Sequence, residues 1–382
     1  MAETESEYPV LVFSHGFGDL PELNAIKAEE LASQGYVVVG INHTYDSALN
    51  ILEDGQIVPS LATSIETESE SEIFELLNEA IDIRAQDAQF VLDELTAIDA
   101  GEDPTNLLSG KLDLEQTGIF GYSLGGATAA KVLAEDERFK AGINLDGGLF
   151  GDVANVNPTQ PFMFQNNEAF GTGESADAGL NQLNQLQQVF VERLENDAYE
   201  ITIAGTEHNN FNDIAFLSPF LVNSGIELGE LADTFAPNGD GEIEPTNPLL
   251  ANEIINSYST AFFDRYLNGK DSPLLTEELS PYPEVTLQAY PADGNDTLTG
   301  SSENAIENSR TESLSISIGD ADISVDITAD KSIFEFVENL SFDDLEIVRG
   351  QGDNAGDLLI NFDSETIVVL DDIIGTEISL EI

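Results

Sequence analysis

Gly121-Tyr122-Ser123-Leu124-Gly125-Gly126 is the stretch of this chain whose residue types could do covalent chemistry. An apolar, strand-like run from Thr117 to Phe120 leads into it, and a helical run of small residues from Ala127 to Leu133 follows. A GxSxG sequence between a strand and a helix is the setting in which a serine sits on a sharp turn, with its Oγ held above a sheet. The glycines have a mechanical reason. Strand and helix come so close that side chains at Gly121 and Gly125 would collide with backbone. A serine hydroxyl is a poor nucleophile near neutral pH, so it needs a base to take its proton and a carboxylate to orient that base.

The chain has only three histidines. Around such a turn the partners follow in the order serine, acid, histidine. His15 and His43 precede Ser123, which leaves His208 as the base. It lies in the turn Ala204-Gly205-Thr206-Glu207-His208-Asn209-Asn210-Phe211, just after the β-branched run Tyr199-Glu200-Ile201-Thr202-Ile203. That is where a loop at the carboxyl end of a strand belongs.

Two residues could supply the acid. Asp146 ends the apolar run Ala141-Gly142-Ile143-Asn144-Leu145 and is the preferred one, although an aspartate before Gly147-Gly148 also suits a plain turn. Glu168, after the run Pro161-Phe162-Met163-Phe164-Gln165, is the second. Attack on a carbonyl would also require two N–H donors for the developing oxyanion. One is expected from Leu124, the residue after the nucleophile. The other is expected from Phe17, in the loop His15-Gly16-Phe17-Gly18 that follows the strand-like Val10-Leu11-Val12-Phe13-Ser14. His15 is then a loop-shaping residue, and His43 a packed or loop-anchoring one.

Four segments together, Phe13-Ser14-His15-Gly16-Phe17-Gly18, Gly121 to Thr128, Leu145-Asp146-Gly147 and Ile201 to Phe211, resemble the platelet-activating-factor acetylhydrolase type of α/β-hydrolase and its bacterial esterase relatives. The resemblance covers roughly residues 8 to 275. It implies Ser123 as nucleophile, Asp146 as orienting acid and His208 as base, with the acid directly after the strand that follows the nucleophile helix. It also implies a doubly wound, mostly parallel sheet. Relatives usually carry further strands before the first loop motif, whereas here Tyr8 already stands at its threshold. Either the chain is trimmed or it is a reduced variant, and the expected sheet then lacks its leading antiparallel strands and has an edge that needs cover.

The elements that must position these groups are legible in the hydropathy pattern. Pro21 to Ser33 has helical apolar spacing, stopped by Gly35, and Tyr36 to Asn42 is a continuous apolar run of the kind buried on both faces. Asn50 to Glu72 is polar and reads as a surface excursion, and Ile73 to Leu95 as a long helix. Gly171 to Val191 suggests a loop leading into a helix, and Ala251 to Leu267 the last helix, ended by Gly269. The excursion from Leu217 to Pro248 offers Phe220, Leu221, Ile226, Leu228 and Phe235 either to line an acyl pocket or to pack as a lid. Within it Asn238-Gly239-Asp240-Gly241-Glu242 has part of a calcium-loop pattern but not its closing glutamate.

Past Pro291 the pattern turns to period-two runs, Leu314 to Ile318 and Ile323 to Ile327, separated by Gly, Asp and Asn. We therefore expect an α/β-hydrolase domain over residues 1–289 and a small all-β module over 290–382. Gly294 to Gly300 and Asp357 to Phe362 weakly resemble the flanks of calcium-binding repeat proteins exported by type I secretion, so the module is read as an export address, with surface or carbohydrate binding as the rival.

Composition bounds the rest. With 73 acidic against 12 basic residues the formal charge is −61. Such a surface repels nucleic acid and anionic lipid. The absence of cysteine excludes disulfides and thiol catalysis, and no apolar run approaches the length of a bilayer span. The acidic start Met1-Ala2-Glu3-Thr4-Glu5 is the opposite of a secretory signal, so export without a cleaved leader is expected, with a cytoplasmic location as the alternative. The function expected is a cofactor-free serine carboxylester hydrolase acting on short-to-medium acyl or phospholipid-like esters, with structural calcium as the one ion considered. Its rivals are a polyester hydrolase and a noncatalytic binding protein on the same scaffold.

Overall fold

The computed structural model describes residues 7–52, 54–60, 70–102, 105–150, 153–156, 158–171, 178–216, 247–276 and 280–292, and strand segments between 312 and 370. The chain divides into two compact units, residues 1–302 and 303–382.

The first unit is built on a seven-stranded sheet in the order β2-β1-β5-β6-β7-β8-β9. Its strands are β1 (Tyr8–Ser14), β2 (Val37–Ile41), β5 (Leu112–Tyr122), β6 (Phe139–Leu145), β7 (Phe162–Asn167), β8 (Ala198–Ile203) and β9 (Val285–Tyr290). All neighbours are parallel except β8 and β9. Because successive side chains of a strand point to opposite faces, Val10 and Val12 enter one core and Leu11 and Phe13 another. The first core is closed by α2 (Glu70–Ala97) and α3 (Leu124–Glu135), and the second by α1 (Ala25–Ser33) and α6 (Pro248–Asn268). Two shorter helices, α4 (Glu168–Gly171) and α5 (Ala178–Val191), follow β7. This is the α/β-hydrolase architecture. Gly269 ends α6 in the left-handed conformation, at φ 64°.

One expectation is corrected. The run from Tyr36 to Asn42, expected to be buried on both faces, forms the edge strand β2, where Val37, Val38 and Val39 are half-buried and Gly40 is exposed. An apolar run reads alike in a central and an edge strand; the pairing order separates them. The excursion after Asn50 begins within a small hairpin, β3 (Leu49–Ile51) and β4 (Ile57–Pro59), whose outer face exposes Leu49, Ile51 and Ile57. The calcium-loop residues 238–242, the candidate pocket residues between 217 and 246, and the segment 294–300 lie outside the described residues.

In the second unit β10 (Glu312–Ile318), β11 (Ala321–Thr328) and β12 (Lys331–Val337) form one antiparallel sheet. A second contains β13 (Leu345–Arg349), β14 (Leu358–Phe362) and β15 (Glu365–Leu370). The period-two runs pair as one register, with Leu314 opposite Val325 and Ile316 opposite Ile323.

Candidate active site

Ser123 stands between β5 and α3 at φ 55° and ψ −122°, a backbone region that side chains seldom occupy and that structures retain where the surroundings enforce it. Those surroundings are visible. A Cβ on Gly121 would lie 2.2 Å from the Gly125 carbonyl, and one on Gly125 would lie 2.0 Å from the Ser14 carbonyl oxygen. The turn therefore closes only with glycine at both positions, and it presses the start of α3 against the end of β1.

Asp146 also has positive φ, 55°, at the carboxyl end of β6. Its backbone is tied to both neighbours: Ser123 N–H donates to Leu145 O at 2.9 Å, and Asp146 N–H donates to Gln165 O at 2.8 Å. The carboxylate is 1% exposed. One oxygen accepts from the backbone N–H of Asn167 at 2.7 Å, and the other accepts from the Asn167 side-chain amide, also at 2.7 Å. That second oxygen receives His208 Nδ1–H at 2.7 Å, and His208 Nε2 lies 3.1 Å from Ser123 Oγ. A carboxylate only accepts, so the Nδ1 proton belongs to His208, and Nε2 is left to accept from the serine.

The imidazole is half-exposed, with its side chain 47% accessible. Tyr122 stacks on it with ring centroids 4.9 Å apart. His208 opens a single 3-10 turn, His208–Phe211, which is capped reciprocally by Glu207 and Asn210. Glu168, the second candidate acid, is engaged elsewhere: its carboxylate accepts Gly205 N–H at 2.7 Å and so fastens the start of the histidine loop to the end of β7. The arrangement can pass a proton from a hydroxyl to an imidazole whose far side is held by a buried, fully hydrogen-bonded carboxylate.

The loop after β1 lies against the same turn, and a Cβ on Gly16 would sit 3.4 Å from Ser123 Cβ. Phe17 follows Gly16 in that loop. Leu124 is the first residue of α3, so its N–H has no carbonyl one turn back in the helix to pair with.

Neither His15 nor His43 touches Ser123 Oγ in this network. His15 donates from Nδ1 to Gly16 O at 2.6 Å and accepts at Nε2 from the Ser47 hydroxyl at 2.7 Å. Burial, then the charge of Arg84 and the neighbouring His43, lower its pKa from 6.5 to about 3. His43 is fully packed, held by Asp87 at 2.8 Å and Ser14 at 2.9 Å, and burial likewise lowers its pKa.

Two contributors were not singled out by the sequence reading. Asn167 stands in the polar run Gln165-Asn166-Asn167 at the end of a core strand, an oddity that could have drawn attention. Arg84 lies on α2 in a segment with helical apolar spacing, and only its position among apolar residues hinted at burial. Its side chain is 1% exposed and forms a bidentate pair with Asp46, at 2.6 and 2.7 Å. Burial alone would raise the Asp46 carboxyl, but the Arg84 guanidinium outweighs it and holds the group below the usual carboxylate range. Among the described residues no group of three or more His, Cys, Asp and Glu side chains could hold a metal ion, and no helix is long and apolar enough to cross a membrane.

Comparison with known proteins places the chain in a family. Residues 1–272 match the family model described as platelet-activating factor acetylhydrolase, isoform II. The chain is 31% identical over 284 residues to a platelet-activating factor acetylhydrolase of Bos taurus, covering 69% of this chain and 58% of that protein. It is 28% identical over 284 residues to a probable 1-alkyl-2-acetylglycerophosphocholine esterase of Arthroderma benhamiae, covering 72% of this chain and 65% of that protein. The chain thus spans about three fifths of the length of these relatives. A ferulic acid esterase from Streptomyces cinnamoneus superposes with a TM-score of 0.58 at 26% identity, covering 74% of each chain. By its family match over residues 1–272, the chain belongs to the platelet-activating factor acetylhydrolase isoform II family.

Proposed function

We propose that the protein is a serine carboxylester hydrolase that works through an acyl-enzyme on phospholipid-like or short-to-medium acyl esters. The observation that carries this reading is the unbroken hydrogen-bond chain from Ser123 Oγ through His208 to Asp146 at the carboxyl edge of a parallel sheet. Ser123 Oγ attacks the ester carbonyl carbon while its proton passes to His208 Nε2. Asp146 keeps the ring in the Nδ1–H tautomer and stabilises the imidazolium that forms. The N–H groups of Phe17 and Leu124 receive the oxyanion, a contribution of several kcal/mol in enzymes of this kind. Collapse of the tetrahedral species expels the alcohol, which takes the proton from His208. Water then attacks the acyl-Ser123 ester, His208 accepts its proton, and the carboxylic acid leaves with Ser123 restored. None of these steps calls on a cofactor.

The substrate class rests on the relatives' names, acetylhydrolase and acetylglycerophosphocholine esterase. The strongly acidic surface favours neutral or zwitterionic esters over anionic ones. We assign residues 1–289 to catalysis and the β-rich residues 290–382 to export, with an extracellular location. The experiment is hydrolysis of p-nitrophenyl esters of increasing acyl length, with fluorophosphonate labelling of the wild type and Ser123→Ala. Turnover and labelling in the wild type, both lost in a folded Ser123→Ala, are expected. A well-folded wild type that does neither would refute the assignment and favour a noncatalytic scaffold. Deletion of residues 291–382 is expected to retain the protein in the producing cell while sparing esterase activity.

A further inference from the structure

The oxyanion loop of this protein is anchored at the very peptide that carries the donor. Gly16 O belongs to the same peptide plane as Phe17 N–H, and in a trans peptide the carbonyl and the N–H point in opposite directions. Whatever holds the carbonyl therefore aims the donor. Three donors converge on Gly16 O: His15 Nδ1–H at 2.6 Å, Arg84 Nη2 at 3.1 Å and Asp19 N–H at 3.2 Å. Arg84 Nη1 in addition donates to the preceding carbonyl, His15 O, and to Ser14 Oγ at 3.3 Å. The guanidinium thus spans two consecutive carbonyls of the loop with a rigid, planar set of donors. Its remaining edge is fixed by Asp46, which also accepts Gly18 N–H at 3.3 Å.

Resting on the esterase reading above, we propose that Arg84 is a positioning residue for the oxyanion hole. It holds the Gly16–Phe17 peptide so that Phe17 N–H faces the carbonyl oxygen of the ester at Ser123. Its cationic donor also polarises that peptide, which strengthens the N–H as a donor. Asp46 balances the charge, so the loop is oriented without an unpaired buried cation beneath it. Such a device acts where negative charge develops, in the transition state, and barely on the neutral ground-state ester. Its removal should lower kcat and leave KM nearly unchanged.

The structure offers a rescue experiment. Arg84 lines a cavity of about 220 Å³ that is also bordered by Phe17, His43, Tyr45, Asp46 and Ile83. Tyr45 and Ile83 are 55% and 53% exposed, so truncating Arg84 leaves a path by which methylguanidinium can reach Asp46 and the two carbonyls. Arg84→Ala and Arg84→Lys are assayed with p-nitrophenyl butyrate, and rates are counted per fluorophosphonate-reactive Ser123, so that unfolded protein does not contribute. Loss of a whole oxyanion donor costs roughly 10²- to 10³-fold in kcat, and loss of its aim should cost about 10- to 100-fold. KM should move by less than about threefold. The pH profile of kcat should keep the wild-type shape. Methylguanidinium should restore part of the lost kcat in Arg84→Ala. If that variant does not fold, Arg84→Lys carries the test, because it keeps the charge but cannot span both carbonyls. Per-site kcat within about threefold of wild type in the folded variants would overturn the positioning role alone. A wild type that neither hydrolyses ester nor labels at Ser123 would overturn the esterase reading, and this inference with it.

Discussion

Acid should weaken the fold through His15, and the size of the effect follows from where that ring sits. His15 is completely buried between Gly16 O and Ser47 Oγ, and it titrates at about 3 in the folded chain against 6.5 when exposed. Between those two values the unfolded state binds one more proton at this site than the folded state does. Unfolding free energy therefore rises with pH across that window and falls on acidification, by about 1.4 kcal/mol per pH unit. At about pH 4.5 the loss amounts to about 3 kcal/mol, a substantial part of the stability of an ordinary domain.

Other groups act in both directions. His43, whose pKa is lowered by burial, adds to the loss. Asp19 and Asp213, whose carboxyl pKa values are raised by burial, offset it, because they take up protons more readily when folded. Protonating part of the acidic excess also relieves self-repulsion. The contribution of His15 is isolated by difference. His15→Asn keeps a neutral donor near Gly16 O but has nothing to titrate. Urea unfolding followed by circular dichroism is measured for both proteins from about pH 7.5 down to about 4.5, where His15 is the group that distinguishes them. The variant should start less stable and lose less, closing the gap by about 3 kcal/mol over the range. Two stability curves that run parallel through the whole range would refute the reasoning.

Gly125→Ala should destabilise the protein by more than about 4 kcal/mol, because its Cβ would meet the Ser14 carbonyl oxygen at 2.0 Å and backbone cannot yield cheaply. Gly269→Ala, at φ 64° with nothing within 4 Å, should cost only about 1 kcal/mol; thermal unfolding of the two side by side distinguishes packing from backbone strain. Asn167→Ala removes the side-chain donor 2.7 Å from Asp146 but leaves the backbone one. It should lower kcat/KM about tenfold and stability by about 2 kcal/mol, read from ester hydrolysis per labelled serine and from urea melts.

Ser123 and His208 were legible as candidates because each sits where local sequence dictates local shape. GxSxG between an apolar run and a small-residue helix allows one compact turn, and the steric reason for Gly121 and Gly125 reappears as contacts of 2.2 and 2.0 Å. His208 emerged by chain order among three histidines, and the C-terminal strands by their period of two.

What local sequence could not decide is which groups meet across long separations. Asp146 and Glu168 each follow a core strand, and only the fold delivers one to His208 Nδ1 and the other to Gly205 N–H. Asn167 becomes the partner of Asp146 because β6 and β7 lie side by side, and Arg84 reaches the loop after β1 across a separation of 68 residues. The burial of β2 depended likewise on its rank in the sheet rather than on its valines. Turns and periodicities are written in neighbouring residues, since steric exclusion and side-chain alternation act within a few bonds. The pairing of a buried charge is settled by the order in which strands and helices stack, and that order is a property of the whole folded chain.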